Sequence, residues 1–269
     1  LKPYLTIIVM GCLIRILTLS RRTAEADRYA RQAYSLLPQL NDPVSLNMAR
    51  GWITVAQGFR HAFSGNYSNA MELGENAIPL FKSSGQFRFM FSSYFLISYS
   101  CFYLGLFSKG MAWAKKGMEI DREKGGFNEF SDFLTLLYAR NHLEMEDVSR
   151  QKVKTALDSC RQSLANFQMN RFVEGEAQAF LVLHKAHYKA GDIAMAEQSL
   201  RKGIKALKNH HMPLIKNELK VALSQLLFFS RDQAANQEAM ALLKDAEQEL
   251  IYSGWHMSWI SRIYARFYW

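Results

Sequence analysis

Proline and glycine are scarce in this sequence, with five Pro and fifteen Gly among 269 residues. Turn-forming residues are therefore too few for an all-β fold, in which short strands alternate with turns. The low hydrophobicity and high charge of disordered chains are also absent, because 49% of the residues are hydrophobic and 21% are charged. The composition predicts a folded chain of long regular elements.

Cysteine is equally scarce. Cys12, Cys101 and Cys160 lie far apart in the sequence. An odd number without a close pair excludes a disulfide framework and the paired cysteines of a zinc site. We expect all three to be small buried hydrophobic residues in a reducing compartment, which predicts a cytoplasmic protein.

The common catalytic motifs are missing: the sequence has no His-Glu-x-x-His, no phosphate loop ending in Gly-Lys-Ser/Thr, and no Gly-x-Gly-x-x-Gly. Ser149 and Lys152 have a Ser-x-x-Lys spacing, but this spacing arises often on solvated helices. His184 and His187, at i and i+3, could place two rings on one metal ion. No third ligand lies near them, so core histidines are the better interpretation. We predict no enzyme activity, no metal site and no cofactor.

A long uncharged hydrophobic run is missing as well. The stretch from Leu5 to Leu19 is apolar, but Arg15 interrupts it and it is shorter than the ~20 residues that span a bilayer. No small-residue cleavage site follows it. We therefore predict a buried first helix and no membrane partner. Because the chain stops abruptly at Arg266 to Trp269, we expect it to be part of a longer protein.

Acidic residues are outnumbered by basic ones, 24 to 33, which gives a net charge of +9. The excess is spread evenly and contains no run of four cations, so it predicts a solvated basic surface with weak attraction for an acidic partner. A nucleic-acid-binding helical repeat is disfavoured but stays an alternative. It predicts an affinity that falls steeply with salt.

A repeat is present instead. Three times, a turn glycine is followed at offsets of five, nine and twelve residues by small or apolar residues: Gly65 by Ala70, Gly74 and Ala77; Gly105 by Gly110, Ala114 and Gly117; Gly191 by Ala196, Leu200 and Gly203. These offsets share one face of a helix, and small side chains on that face let two antiparallel helices approach closely. Such a helix pair must stack on a neighbour to bury its other face.

This arrangement resembles the tetratricopeptide (TPR) repeat, whose first helix carries a large residue, a Leu-Gly pair and a Tyr before the turn glycine. The matching residues are Tyr94, Ile97-Ser98 and Cys101 before Gly105, and Phe180, Leu183-His184 and His187 before Gly191; before Gly65 only Gly58 and the ring of His61 fit. The inferred turns lie near residues 21, 65, 105, 145, 191 and 231, a longer period than the usual 34 residues. Stretched repeats resemble the sensor domain of MalT-like bacterial regulators.

The resemblance implies an all-α, right-handed superhelical solenoid of about six TPR-like helix pairs plus a terminal helix, in a single domain over residues 1–269. The predicted first helices cover 4–19, 45–63, 87–104, 129–143, 172–190 and 212–229. The predicted second helices cover 23–38, 67–83, 107–123, 147–167, 193–208 and 233–253, and the terminal helix covers 256–268.

The resemblance also implies that the first helices line a concave groove. The predicted groove residues are Arg15, Trp52, Phe59, Phe63, Phe95, Tyr99, Phe102, Tyr103, His142, Lys185, Tyr188 and Lys189. TPR domains that bind chaperone tails hold a carboxylate with Lys and Asn at fixed groove positions. Here those positions hold Gly11 and Arg15, Val55 and Phe59, and Phe95 and Tyr99, so chaperone-tail binding is disfavoured. The aromatic side chains either face the groove or pack between repeats, and the sequence leaves both open.

The predicted terminal helix has an apolar face formed by Trp255, Trp259, Ile263 and Phe267. It would cover the last repeat, seat a neighbouring domain, or self-associate.

The leading functional hypothesis is a non-catalytic scaffold or sensor domain of a larger cytoplasmic signalling or transcription-regulatory protein. Its partner would be a protein or peptide, with a small-molecule effector as a further option. The first alternative is a peptide-pheromone receptor domain that holds the peptide in its groove.

Overall fold

The computed structural model describes residues 2–19, 22–124, 128–229 and 232–251. Within these ranges the chain forms twelve α-helices, one short 3₁₀ turn (Leu37–Gln39) and no strand. The helices are α1 (Lys2–Leu19), α2 (Thr23–Leu36), α3 (Pro43–Phe63), α4 (Tyr67–Ser83), α5 (Phe87–Tyr103), α6 (Phe107–Lys124), α7 (Asn128–Leu143), α8 (Arg150–Met169), α9 (Val173–Lys189), α10 (Ile193–Ala206), α11 (Pro213–Phe228) and α12 (Gln233–Ile251).

The predicted all-α fold and its helix order are confirmed, with bounds that differ by a few residues. Helix α3 begins at Pro43, two residues early, because the Asp42 carboxylate caps it and accepts the amide of Ser45 at 2.8 Å. Helix α8 begins at Arg150, three residues late, because Ser149 is its N-cap. The predicted terminal helix, with Trp255, Trp259, Ile263 and Phe267, lies outside the described residues.

The chain divides into two compact units, Leu1–Asp147 and Val148–Trp269. Unit 1 contains α1–α7 and unit 2 contains α8–α12. Within unit 1 the antiparallel pairs are α1–α2, α3–α4 and α5–α6; within unit 2 they are α9–α10 and α11–α12. Because α7 and α8 belong to different units, each is described with its own unit. The single domain and the right-handed superhelix stay predictions.

The small residues after the turn glycines lie where the sequence places them, on the buried face of the second helix. Ala70, Ala77, Ala114 and Ala196 have no solvent exposure. At Gly74 a Cβ atom would lie 2.7 Å from Cγ1 of Ile97 on the next first helix. No side chain fits at that distance, so the glycine allows α4 and α5 to approach closely.

Five of the described helices end in the same hydrogen-bonded turn, in which the residue after the left-handed position donates its amide to the carbonyl five residues earlier. The left-handed residues are Gly65, Gly85, Gly105, Gly191 and Arg171, with φ between +55° and +82°. At the end of α8 the amide of Phe172 donates to the carbonyl of Phe167 at 2.8 Å. Arg171 therefore occupies a position that glycine fills in the other four turns.

Replacing Arg171 by Gly is expected to raise the free energy of unfolding by about 0.5–1 kcal/mol, because a residue with a Cβ is strained at a φ of +55°. Urea unfolding followed by circular dichroism measures the difference. The control is Arg171→Ala, which keeps the Cβ and should show no gain. An alanine variant as stable as the glycine variant would assign the gain to loss of the arginine side chain instead of to the backbone.

Two sequence expectations are wrong for α1. Cys12 is exposed, although Cys101 and Cys160 are buried as predicted. Helix α1 is also only partly buried, because Leu5, Val9 and Ile16 are more than half exposed on the same side. The reason is that no helix packs on this side of α1 in the described part of unit 1. No helix in the described residues is long and apolar enough to cross a membrane.

Candidate functional site

The predicted groove residues of unit 1 lie on α1, α3, α5 and α7, which contact one another in that order. Five rings from α3 and α5 form a continuous set that we call the ring ladder: Phe59, Phe63, Phe95, Tyr99 and Tyr103. The ring centroids are 5.9 Å apart for Phe59–Phe63, 6.0 Å for Phe59–Phe95, 5.9 Å for Phe95–Tyr99 and 4.8 Å for Tyr99–Tyr103. These separations lie within the range of favourable aromatic pairs.

The ring ladder has a buried layer and an open layer. Phe59, Phe63 and Tyr99 are buried, so these side chains pack between α3 and α5. Phe95 and Tyr103 are half-buried and keep part of their rings accessible. Phe102 is also half-buried and meets Tyr103 edge-on at 5.2 Å. The sequence left open whether these aromatic residues face a groove or pack between repeats; the structure buries three of them and leaves three partly accessible.

Trp52 fixes α3 against α1. Its indole Nε1 donates to the carbonyl of Ile8 at 3.0 Å, and its ring fills the space above Gly11, where a Cβ would lie 2.2 Å from the indole. The ring also meets Phe89 edge-on at 5.0 Å. Trp52 is half-buried, and these contacts give it a structural role between helices.

Arg140 of α7 contacts two of the predicted groove residues, Phe102 and Tyr103, and was not itself predicted. Its guanidinium lies 4.0 Å from the ring centroid of Phe102 and 5.4 Å from that of Tyr103, and it donates to the Tyr103 hydroxyl at 3.3 Å. Burial lowers the pKa of Arg140, and the nearby oxygens of Tyr99 and Glu144 oppose this shift. An arginine keeps its charge under such a shift, so the open layer carries a fixed cation.

The neighbouring Asn141 holds α7 in the register that places Arg140 on these rings. Its side-chain amide donates to the carbonyl of Leu137 at 2.9 Å and to the Ser98 hydroxyl at 3.4 Å. The Ser98 hydroxyl in turn donates to the carbonyl of Gly110 at 2.9 Å. A Cβ at Gly110 would lie 2.4 Å from Oδ1 of Asn141, so only glycine leaves room for this side chain.

Tyr67, the first residue of α4, is a second residue that the sequence analysis missed. Its ring stacks on Tyr103 at 4.6 Å with an angle of 6° between the ring planes. Its position two residues after Gly65 was a usable signal, because the turn brings the start of the second helix beside the end of the first. Arg140 had no comparable signal, since the repeat around residue 145 is weak.

Two further predicted residues of unit 1, Arg15 and His142, lie beside other rings. The Arg15 guanidinium lies 5.3 Å from the Phe59 ring centroid, so the structure brings it to the ring ladder. His142 lies on α7, where its ring meets Tyr138 edge-on at 5.8 Å. Its role in binding stays a prediction.

In unit 2, two of the three predicted residues border a cleft of about 250 Å³ between α9 and α11. We call it the α9–α11 cleft; it is lined by His184, Lys185, Tyr188, Ala222, Gln225, Leu226, Phe228 and Phe229. Lys185 and Tyr188 were predicted, whereas Phe228 and Phe229 were not. Lys189 is exposed at the end of α9 and does not line the cleft.

The two histidines of α9 have different surroundings. His187 is buried, and burial lowers its pKa, an effect that Arg161 reinforces and Asp192 opposes. It is a core histidine, as predicted. His184 lines the α9–α11 cleft, and its Nδ1 is hydrogen-bonded to the carbonyl of Leu181, so the ring donates there. The described residues contain no group of three or more side chains able to hold a metal ion.

The buried thiols of Cys101 and Cys160 are poor nucleophiles at neutral pH. Burial raises the pKa of Cys101 to about 11 and that of Cys160 to about 12. A nucleophilic cysteine needs a thiolate, which these pKa values disfavour at neutral pH.

No protein-family model and no curated protein matches the chain. Solved structures do match. Among them are RapI in its apo form (TM-score 0.63, 14% identity, 94% of this chain and 84% of RapI) and a Rap protein complexed with competence and sporulation factor (TM-score 0.63, 10% identity, 93% and 78%).

A third match is a signal transduction ATPase with numerous domains (STAND) from Pyrococcus horikoshii, which has a tetratricopeptide-repeat sensor. Its TM-score is 0.59 at 11% identity, over 94% of this chain and 38% of the STAND protein. The chain thus spans less than half of that protein. Together these similarities show that the chain has a TPR-like helical-repeat fold, as the sequence predicted.

Proposed function

We propose that the groove face of unit 1 binds a peptide segment of a protein partner. In this proposal the domain is a non-catalytic scaffold or sensor of a larger cytoplasmic signalling or transcription-regulatory protein. The observation that carries the proposal is the layered aromatic surface, in which Phe95, Phe102 and Tyr103 stay partly accessible above buried rings. Rigid rings already held in place supply contact area at little entropic cost.

The charges at this surface support a particular kind of peptide. Arg15 and Arg140 both lie over ladder or neighbouring rings, so the apolar surface is bordered by cations. Guanidinium groups bind carboxylates through paired hydrogen bonds. The proposed partner segment therefore carries apolar or aromatic anchor residues with Asp or Glu beside them.

The receptor for a free peptide pheromone is the second candidate. It is supported by the fold of the Rap protein that was solved with competence and sporulation factor, which is a likeness of architecture alone. A small-molecule effector, if one binds, has the α9–α11 cleft as its proposed place. A short free peptide that binds as tightly as the same segment within a protein would favour the receptor.

The test is a screen of labelled peptides by fluorescence anisotropy, followed by single substitutions in the chain. Phe102→Ala is expected to weaken the tightest peptide by about 30-fold or more, as at a binding hot spot. Arg140→Lys, which keeps the charge but loses the planar stacking group, should weaken it by about 3- to 10-fold. Tyr99→Ala is a poor test because Tyr99 is buried and its loss would damage packing.

The matched control is Tyr188→Ala, which removes an exposed aromatic side chain of unit 2. It should leave peptide affinity unchanged, and circular dichroism should show the same helix content in all variants. Binding that survives Phe102→Ala and is lost with Tyr188→Ala would place the peptide in the α9–α11 cleft and contradict the proposal for unit 1.

A further inference from the structure

The exposed side of α1 carries an uninterrupted apolar stripe. Leu5, Val9 and Ile16 are 54%, 57% and 56% exposed, and Cys12 between them is also exposed. The spacings of four, three and four residues put all four side chains on one face of the helix. We call these four residues the α1 stripe. It lies outside the ring ladder and takes no part in the proposed function.

The repeat identifies the positions of α3 that correspond to the α1 stripe. Helix α3 follows α1 with a shift of 44 residues, which is the separation of the inferred turns near residues 21 and 65. The same shift relates the α1 stripe to Ala49, Ile53, Ala56 and Arg60.

In α3 these four positions pack on the preceding helix pair. Ala49 and Ile53 form a buried cluster with Ile7 of α1 and Ala33 of α2. Ala56 belongs to a second cluster with residues of the same two helices. Arg60 forms an ion pair of 3.0 Å with Asp27 of α2. The face is therefore the stacking surface of one repeat on the previous one.

The corresponding face of α5 is covered as well. In α5, forty residues further on, three of the four positions hold Ser93, Leu96 and Ser100, all without solvent exposure, and the fourth holds the half-buried Phe89. The space that a Cβ would need at Gly58 of α3 is taken by Leu96, at 2.3 Å. Among α1, α3 and α5 this face is open only in α1, and there it holds three large hydrophobic residues and no charge. An outer face that remains in water is normally polar in repeat proteins.

We propose that the α1 stripe is a docking surface for a further helix pair of the same repeat type, stacked in register on α1. Its second helix would present small residues, as α2 presents Ala26, Ala30 and Ala33 to α3. A second copy joined α1 to α1 would bury one helix face per protomer. The equivalent face of α3 is covered by a helix pair, α1 and α2, so a helix pair fits this surface better.

The test uses Cys12 as a reporter in the full chain. A copy of residues 43–86 replaces Leu1 and Lys2 and is joined directly to Pro3, which reproduces the connection from α4 to α5 in the repeat register; the rest of the chain is unchanged. The rate at which Ellman's reagent modifies Cys12 is then compared with and without the added pair, with Cys12→Ala confirming the assignment. Stacking should slow the reaction by at least about tenfold, because a covered thiol reacts only through local opening.

The matched control carries the same added pair with Ala70→Leu, Gly74→Leu and Ala77→Leu in the added copy only. These changes fill the face that would meet α1, so Cys12 should react at the original rate. Equal rates for the added pair and for the chain alone would overturn the proposal.

Light scattering of the chain alone tests whether a second copy of the chain covers the α1 stripe. A monomer with a reactive Cys12 at all concentrations is the expected result. A dimer that protects Cys12 and dissociates on Leu5→Glu with Val9→Glu would overturn the helix-pair proposal and assign the α1 stripe to self-association.

Discussion

Replacing Glu218 by Gln is expected to raise the free energy of unfolding at pH 9 by about 4–5 kcal/mol, and hardly at all near pH 4.5. Glu218 lies on α11 and is buried, and burial raises the pKa of its carboxyl group to about 8. In the unfolded chain a glutamate titrates near its usual value of about 4.3. The folded state therefore holds a proton that the unfolded state has released.

The sign follows from this difference. Between about pH 4.3 and 8, each pH unit lowers the stability of the unchanged protein by about 1.4 kcal/mol, because the unfolded state binds fewer protons. Glutamine resembles the protonated carboxyl group and cannot ionise, so this part of the pH dependence disappears. His187, whose pKa is lowered by burial, acts in the opposite direction below about pH 6.5 and is common to both proteins.

Urea unfolding of both proteins at several pH values measures the effect, and the difference between the two curves isolates Glu218. Parallel curves from pH 4.5 to 9 would contradict the raised pKa. Glu218→Ala separates charge from packing, since it removes the ionisable group but leaves a cavity and should destabilise the protein at low pH.

The second large effect is expected at Phe81. Replacing it by Ala should lower the free energy of unfolding of unit 1 by about 3–5 kcal/mol, because the ring is fully buried and its loss leaves a cavity. The ring lies against Gly51 of α3 and 6.1 Å from Phe89, which in turn meets Trp52. Phe81→Leu, which keeps most of the volume, should cost less than about 1.5 kcal/mol.

Gly51 provides a sharper check through a double-mutant cycle. In the unchanged protein a Cβ at position 51 would lie 2.9 Å from the Phe81 ring, so Gly51→Ala should destabilise it. Beside Phe81→Ala the same methyl group enters the cavity and should recover part of the loss. Additive effects of the two substitutions would contradict the close contact between them.

The fold was largely predictable because its information is local. Gly65, Gly105 and Gly191 mark turns that need a positive φ, and the small residues at fixed offsets behind them mark the face on which the helices meet. The turn glycines reflect backbone conformation, and the small residues reflect periodicity within one helix pair. Both can be read from the sequence alone. Where an N-cap side chain fixes the start of a helix, as Asp42 and Ser149 do for α3 and α8, the predicted bounds were wrong by two or three residues.

The candidate site was predictable only in outline. The sequence placed aromatic residues on the first helices, but it could not say that Phe59, Phe63 and Tyr99 are buried while Phe95, Phe102 and Tyr103 stay partly open. That division depends on how far each ring reaches toward the adjacent helix. The contact between Arg140 and Phe102 joins residues 38 positions apart, on helices whose register depends on Asn141 and Gly110.

By itself, then, the sequence determined that this protein is a stack of antiparallel helix pairs, since turn glycines and small-residue spacing act within each pair. Tertiary structure decided which surfaces remain open. The ring ladder with Arg140 arises from contacts between successive pairs, and the raised pKa of Glu218 arises from burial of its carboxyl group in the folded chain. The exposed α1 stripe was hidden for the same reason: its apolar residues match those of a buried helix, and only the packing of unit 1 shows that nothing described covers them.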